Sequence, residues 1–204
     1  MTTKPFAESS EQNKLPILAV LEHEFSGIES VLEIGSGTGQ HAVFFSSELP
    51  HLRWHTSDVH ENHPGIEQWL EEADLSNVVP PIALDVAADA WPEHSFDGAF
   101  SANTAHIMHW HEVEAMFRGV GRVLKPGGRF CLYGPFNYHG QYSSESNARF
   151  DAWLQERDPE SGIRDLDDLN ALAEQAGLRP AEDYEMPANN RILVWEKPTA
   201  TPEA

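Results

Sequence analysis

"VLEIGSGTGQH", from Val31 to His41, sets three glycines at alternate positions directly behind a short apolar run. That run holds one carboxylate, Glu33. "SVLEI" (30–34) has the branched apolar content of a buried strand and stops at Gly35. "HAVFFSSEL" (41–49) reads as a helix ended by Pro50. A glycine-rich turn between a first strand and a first helix lets a ligand approach the backbone closely. It also leaves the helix N-terminus free to face the ligand's polar groups. In an open parallel sheet, the crevice at the strands' C-terminal ends is the expected binding place. The dinucleotide fingerprint G-x-G-x-x-G fails here, because Gln40 stands where its third glycine belongs. A nicotinamide cofactor is therefore disfavoured.

Working outward, strand and helix patterns alternate. "RWHTSDV" (53–59), "PIALDV" (81–86), "FDGAFSAN" (96–103) and "RFCLYGPF" (129–136) read as strands. "GIEQWLEEADL" (65–75) and "HEVEAMFRGVGRVL" (111–124) have helical spacing, the second stopped by the turn "KPGG" (125–128). Helices are expected at 146–155 and 165–177, and a closing hairpin from strands near 181–186 and 191–197. This alternation implies an α/β fold: a mostly parallel sheet with helices on both faces. The chain divides as a polar, mobile arm (1–14), one domain (15–197) whose first helix runs from about Leu15 to Phe25, and a tail (198–204).

Glu33 completes the pattern E/D-x-G-x-G-x-G, with Gly35, Gly37 and Gly39 in the glycine places. "WHTSDV" ends its strand with Asp58, and "PIALDV" carries Asp85 near its end. Three acids at the ends of three successive strands, with "FDGAFSANTAHIMHW" and "GRVLKPGGRFCLYGPF" after them, resemble the class I S-adenosylmethionine (SAM) dependent methyltransferases. The resemblance implies a Rossmann-like, seven-stranded sheet ending in an antiparallel hairpin, with SAM as cofactor. It implies that Glu33, Gly35, Ser36, Gly37 and Gly39 surround the methionine moiety. Asp58 would take the ribose hydroxyls, with Val59 beside it. Asp85 and Val86 would lie at the adenine, and Asn103 at the cofactor end of the fourth strand. Rarer stretches, "EQNKLPILAVL", "NTAHI", "GPFNYHGQYSSESNARFDAWL" and "MPANN", resemble one uncharacterised group, a domain of unknown function that includes methyltransferase-like protein 26.

Composition narrows the partners. With 13 Lys+Arg against 33 Asp+Glu, the net charge of −20 repels phosphate backbones, so no nucleic-acid partner is expected. No apolar run approaches the ~20 residues that span a bilayer, and the first fourteen residues lack a signal core. The single cysteine, Cys131, lies in a strand pattern and reads as an inert core thiol. A cytoplasmic enzyme acting on a small molecule fits best, its oligomeric state open.

A methyl acceptor should lie beyond strands four and five. His106, three residues after Asn103, is the candidate general base, its ordinary pKa near 6.5 suiting proton removal. The plain alternative is a histidine bonded only to backbone. Tyr133 and Tyr138 could wall the acceptor, or simply pack an ordered loop; Asn189 and Asn190 could orient it, or form a turn. Ser144, Ser146 and Asn147 read as a helix start, and Asn13, Lys14 and Pro16 could fold over the cofactor edge. His106, His109, His111, Glu112 and Glu114 lack the regular spacing of a zinc site, and no metal is expected.

Overall fold

The computed structural model describes residues 4–199. Its elements are α1 (Glu8–Glu24), β1 (Ser30–Glu33), α2 (Gln40–Glu48), β2 (Arg53–Asp58), α3 (His63–Ala73), β3 (Val78–Ala83), β4 (Phe96–Ala102) and α4 (Trp110–Val123). They continue as β5 (Leu124–Gly134), β6 (Phe136–Asn137), α5 (Glu145–Arg157), β7 (Arg164–Asp165), α6 (Leu166–Gln175), β8 (Arg179–Met186) and β9 (Asn190–Glu196). Seven strands form one sheet in the order β3-β2-β1-β4-β5-β9-β8, and β6 and β7 make a separate short parallel pair. The strands from β3 to β5 are mutually parallel, while β9 runs antiparallel to both β5 and β8. The expected α/β sheet with its closing hairpin is therefore present.

Alternating side chains of the central strands feed two apolar cores, one on each face of the sheet. On one face, Val31, Trp54, Phe100 and Cys131 meet Leu21 of α1 and Phe45 of α2. On the other, Leu32, Phe130 and Trp195 meet Phe117 of α4 and Leu169 of α6. Cys131 is fully buried, and burial holds its thiol far above the ordinary range, so it is inert.

Three elements differ from the sequence expectation by three residues or more. The polar segment before Leu15, expected as a mobile arm, supplies about two turns of α1, which starts at Glu8. Its order is tertiary in origin. The Ala7 amide donates to Gln40 Oε1 at 2.6 Å, Gln40 Nε2 donates to Glu11 at 3.1 Å, and His41 bonds Asn13 at 2.7 Å. Trp69 Nε1 donates to the Pro5 carbonyl at 2.8 Å, which ties this segment to α3 as well. Strand β3 lies three residues earlier than read, and its Pro80 and Pro81 are tolerated because it is an edge strand. Residues 125–128, expected as a turn, belong to β5, whose pairing with β4 shifts register across them.

One buried ionic group joins distant parts of the chain. Glu24, at the end of α1, accepts from Arg129 of β5 at 2.5 Å and from the Tyr184 hydroxyl of β8 at 2.5 Å. The Glu24 side chain is fully covered, so both partners are needed to offset its desolvation.

Candidate active site

The chain leaves β1, makes the glycine turn, and re-enters the fold as α2. Gly35, Gly37 and Gly39 have φ of 72°, 58° and 91°, in the left-handed region that favours glycine. Gly35 is also held by space, since a Cβ there would lie 2.7 Å from Thr104 Cγ2. β1 lies between β2 and β4, where the strand order reverses direction, so this turn sits at the topological switch point.

Most of the turn's amides are already committed. Gly35 and Ser36 donate to the Ser57 carbonyl at 3.0 and 2.9 Å, and Gly39 donates to the Ser36 carbonyl at 2.9 Å. Gly37 donates to Asp58 Oδ2 at 2.7 Å, which joins the ends of β1 and β2. The other oxygen of Asp58 accepts from the Val59 amide and from Asn62 Nδ2, each at 2.8 Å. Asp58 is 7% exposed, while Val59 beside it is 36% exposed.

Glu33 is 2% exposed, and one of its oxygens accepts from Ser36 Oγ at 2.8 Å and Trp54 Nε1 at 3.1 Å. Burial pushes its carboxyl up to about 7; the two donors oppose that rise and the Asp58 charge adds to it. Asp85 lies two residues past β3, where its Oδ1 caps a turn by accepting from Ala87 and Ala88 at 3.0 and 3.2 Å. Val86 is buried in the apolar core, apart from its carbonyl bond to Trp91 Nε1.

Beyond β4 the chain turns sharply at Asn103, whose φ is 58°. His106 follows, 7% exposed, with its ring edge-on to Phe150 at 5.4 Å between centroids. No hydrogen bond reaches its imidazole among the described residues, and burial, aided by the Arg164 charge, lowers its pKa to about 4. The ring is therefore neutral at physiological pH. It borders a cavity of about 480 Å³ that Asn103, Asn147, Phe150, Asn189 and Asn190 also line. A smaller cavity of about 150 Å³ adjoins it and shares Ser9, Asn103 and Asn190, with Asn13 and Tyr133 on its wall.

The sequence candidates thus separate. Asn103, His106, Asn189 and Asn190 converge on the larger cavity, and Tyr133 on the smaller one. Tyr138 is a correction: its hydroxyl donates to Asp183 of β8 at 2.9 Å, and it lies on neither cavity wall. The Arg191 guanidinium of β9 also lies over its ring, 5.9 Å from the centroid, so its partners belong to the hairpin. Ser144 does cap α5, accepting from the Asn147 amide at 3.0 Å, as the helix-start reading expected. Asn147 and Phe150 then point inward from that helix, and Ser9 arrives from α1; no sequence pattern signalled this convergence. His109 is committed elsewhere, capping α4 and bonding Asp158 at 2.8 Å.

Comparison with known proteins follows this geometry. The model of a protein family of unknown function, DUF938, matches residues 4–197. The chain belongs to the DUF938 family. It is 30% identical over 158 residues to O-methyltransferase rstn1 of Aspergillus nomiae, covering 76% of this chain and 66% of that protein. It is 32% identical over 107 residues to the S-adenosyl-L-methionine-dependent Diels-Alderase iccD of Talaromyces variabilis, covering 50% and 35%. The human N-acetylserotonin methyltransferase, solved in complex with SAM, superposes with a TM-score of 0.79 at 18% identity, over 94% of this chain and 53% of that one. The DUF938 chain thus has the class I methyltransferase fold and spans about half to two thirds of these methyltransferases' lengths. Among its described residues, no helix is long and apolar enough to cross a membrane.

Proposed function

We propose that this chain is a SAM-dependent methyltransferase acting on a small-molecule acceptor. The observation that carries the reading is the order of Glu33, Asp58 and Asp85 along the C-terminal ends of three adjacent parallel strands. These residues suit a cationic nucleoside. Asp58 has two oxygens for a pair of ribose hydroxyls; Oδ2 accepts only from Gly37 and can take a hydroxyl beside it, while on Oδ1 a hydroxyl would displace Asn62. Glu33 is a buried acid whose ionisation a nearby cation would favour. When bound, SAM supplies an electrophilic methyl group on a sulfonium. The rest falls to the chain. Asn103, Asn147, Asn189 and Asn190 orient the acceptor, since collinear placement does much of the work in a displacement at carbon. His106, neutral and uncommitted, takes up the acceptor's proton where one must leave.

The first test is calorimetric titration of the protein with SAM, S-adenosylhomocysteine and NAD. Micromolar binding of the two adenosyl ligands and none of NAD is the expected result. Absence of adenosyl binding in folded, ligand-free protein sinks the reading.

The role of His106 has its own signature. An imidazole titrating at about 4 stays available far below neutrality, so turnover should fall only as pH drops towards 4. An acid limb near 6.5 in the pH–rate profile, or an unchanged limb in His106→Gln, would remove His106 from this role.

A second reading, SAM binding without methyl transfer, has one observation in its favour. The one imidazole on the cavity wall is a weak base. The two readings share every cofactor residue and part on whether any acceptor is methylated.

A further inference from the structure

The protein carries a net charge of −20, yet among the described residues no Asp, Glu, Lys or Arg lines either cavity beyond β4 and β5. Their polar walls are amides and hydroxyls, with His106 in the larger one and Tyr133 in the smaller. Charged side chains do lie just behind these walls, but the protein consumes them. Asp151 accepts from the Ile163 amide at 2.6 Å, the Tyr142 hydroxyl at 2.6 Å and Gln155 Nε2 at 2.9 Å. Arg164 donates to the carbonyls of Ala105 at 3.0 Å and Glu160 at 2.9 Å, and to that of Met108.

One of the amides is fixed in orientation. Asn147 is 5% exposed and spends both hydrogens of its Nδ2, on Ser143 Oγ at 2.9 Å and on the Asn189 carbonyl at 3.1 Å. A carbonyl only accepts, so the amide's orientation is fixed and its Oδ1 is the atom left over for the cavity. Asn190 Nδ2 faces the Pro187 carbonyl at 3.3 Å and Asn189 Nδ2 bonds Ser146 Oγ at 3.0 Å, so each of these two amides keeps a second N–H. The wall therefore offers one acceptor fixed in place, Asn147 Oδ1, among amides and hydroxyls that can also donate, with Phe150 and Pro135 as its apolar part.

We propose that the molecule held in this cavity is uncharged and carries hydroxyl groups that hydrogen-bond to the asparagine amides, one of them donating to Asn147 Oδ1. The proposal rests on the transfer reading only in naming this molecule the methyl acceptor. An anion would find no cation on the wall and would enter against the field of the whole chain. A cation would find neutral dipoles but no carboxylate, and burying either charge unpaired is costly.

Three phenols of similar size test this: 4-hydroxybenzyl alcohol, 4-hydroxybenzoate and tyramine, which are neutral, anionic and cationic. Ligand-observed NMR gives their dissociation constants with and without S-adenosylhomocysteine. The neutral alcohol should bind at least tenfold more tightly than either charged analogue. Equal affinities, a preference for a charged probe, or no binding of the alcohol at millimolar concentration overturns the proposal. Binding of S-adenosylhomocysteine is read separately, so failure of the cofactor reading is distinguishable from failure of this one. Ser146→Asp adds a carboxylate to the wall in the first turn of α5, where the helix dipole favours it. It should tighten tyramine about tenfold. An unchanged tyramine affinity in that variant also counts against the proposal.

Discussion

Asp58→Ala is expected to weaken SAM and S-adenosylhomocysteine binding by about a hundredfold, as calorimetry would show. Two charge-assisted hydrogen bonds to a ribose, each worth ~1.5 kcal/mol, account for that factor. The same carboxylate now holds Gly37, Val59 and Asn62, so part of the loss would come from a loosened glycine turn. Asp58→Asn separates the two contributions. It keeps one carbonyl acceptor for the turn but loses the charge and the paired geometry. Thermal stability near that of the parent, with affinity still well reduced, assigns the effect to the ligand. An affinity unchanged in both variants would remove Asp58 from the cofactor site.

Glu33→Gln is expected to stabilise the ligand-free protein by about 3 kcal/mol near pH 8, the cost of ionising a buried carboxyl. The sign follows from the direction of the shift. Burial raises the carboxyl from its ordinary 4.5 to about 7 in the fold, so the folded chain retains a proton that the unfolded chain gives up. That stability is fully present below 4.5 and is lost as pH rises to about 7. Glutamine is always neutral and can still accept from Ser36 and Trp54 through its carbonyl. The parent's melting temperature should therefore fall by about 10 °C between pH 5 and 8, and that fall should vanish in Glu33→Gln. A parallel decline in both proteins would mean that Glu33 is already ionised in the fold. If the proposed cation binds beside this acid, SAM affinity in the parent should rise over the same pH range. In the variant it should stay flat.

These two acids were legible in the sequence for a local reason. Glu33 ends an apolar run beside alternate glycines and Asp58 ends the next strand pattern, so each place is marked within about ten contiguous residues. The order of strands and helices was legible likewise, from periodicity alone. What escaped depends on convergence of distant segments. The turns of α1 from Glu8 to Lys14 look like a solvated arm until Gln40, His41 and Trp69 are brought beneath them. Asn147 and Phe150 look like ordinary members of a helix, and only its packing in the fold brings them to the cavity that His106 lines. Tyr138 fails in the opposite sense: its neighbours in sequence suggested a pocket, and a bond to Asp183, far along the chain, takes it away.

The Glu24 group bears on how the chain is made. Its partners lie 105 and 160 residues downstream, on β5 and β8. During synthesis, α1 leaves the ribosome long before Tyr184 exists, and its buried-to-be carboxylate must remain hydrated until then. Docking α1 without both partners would strand a charge in the core, which works against early closure of this face. The hairpin of β8 and β9 thus acts as a late latch. A nascent chain halted before it should keep α1 accessible to proteases, and completing the hairpin should protect it in a single step.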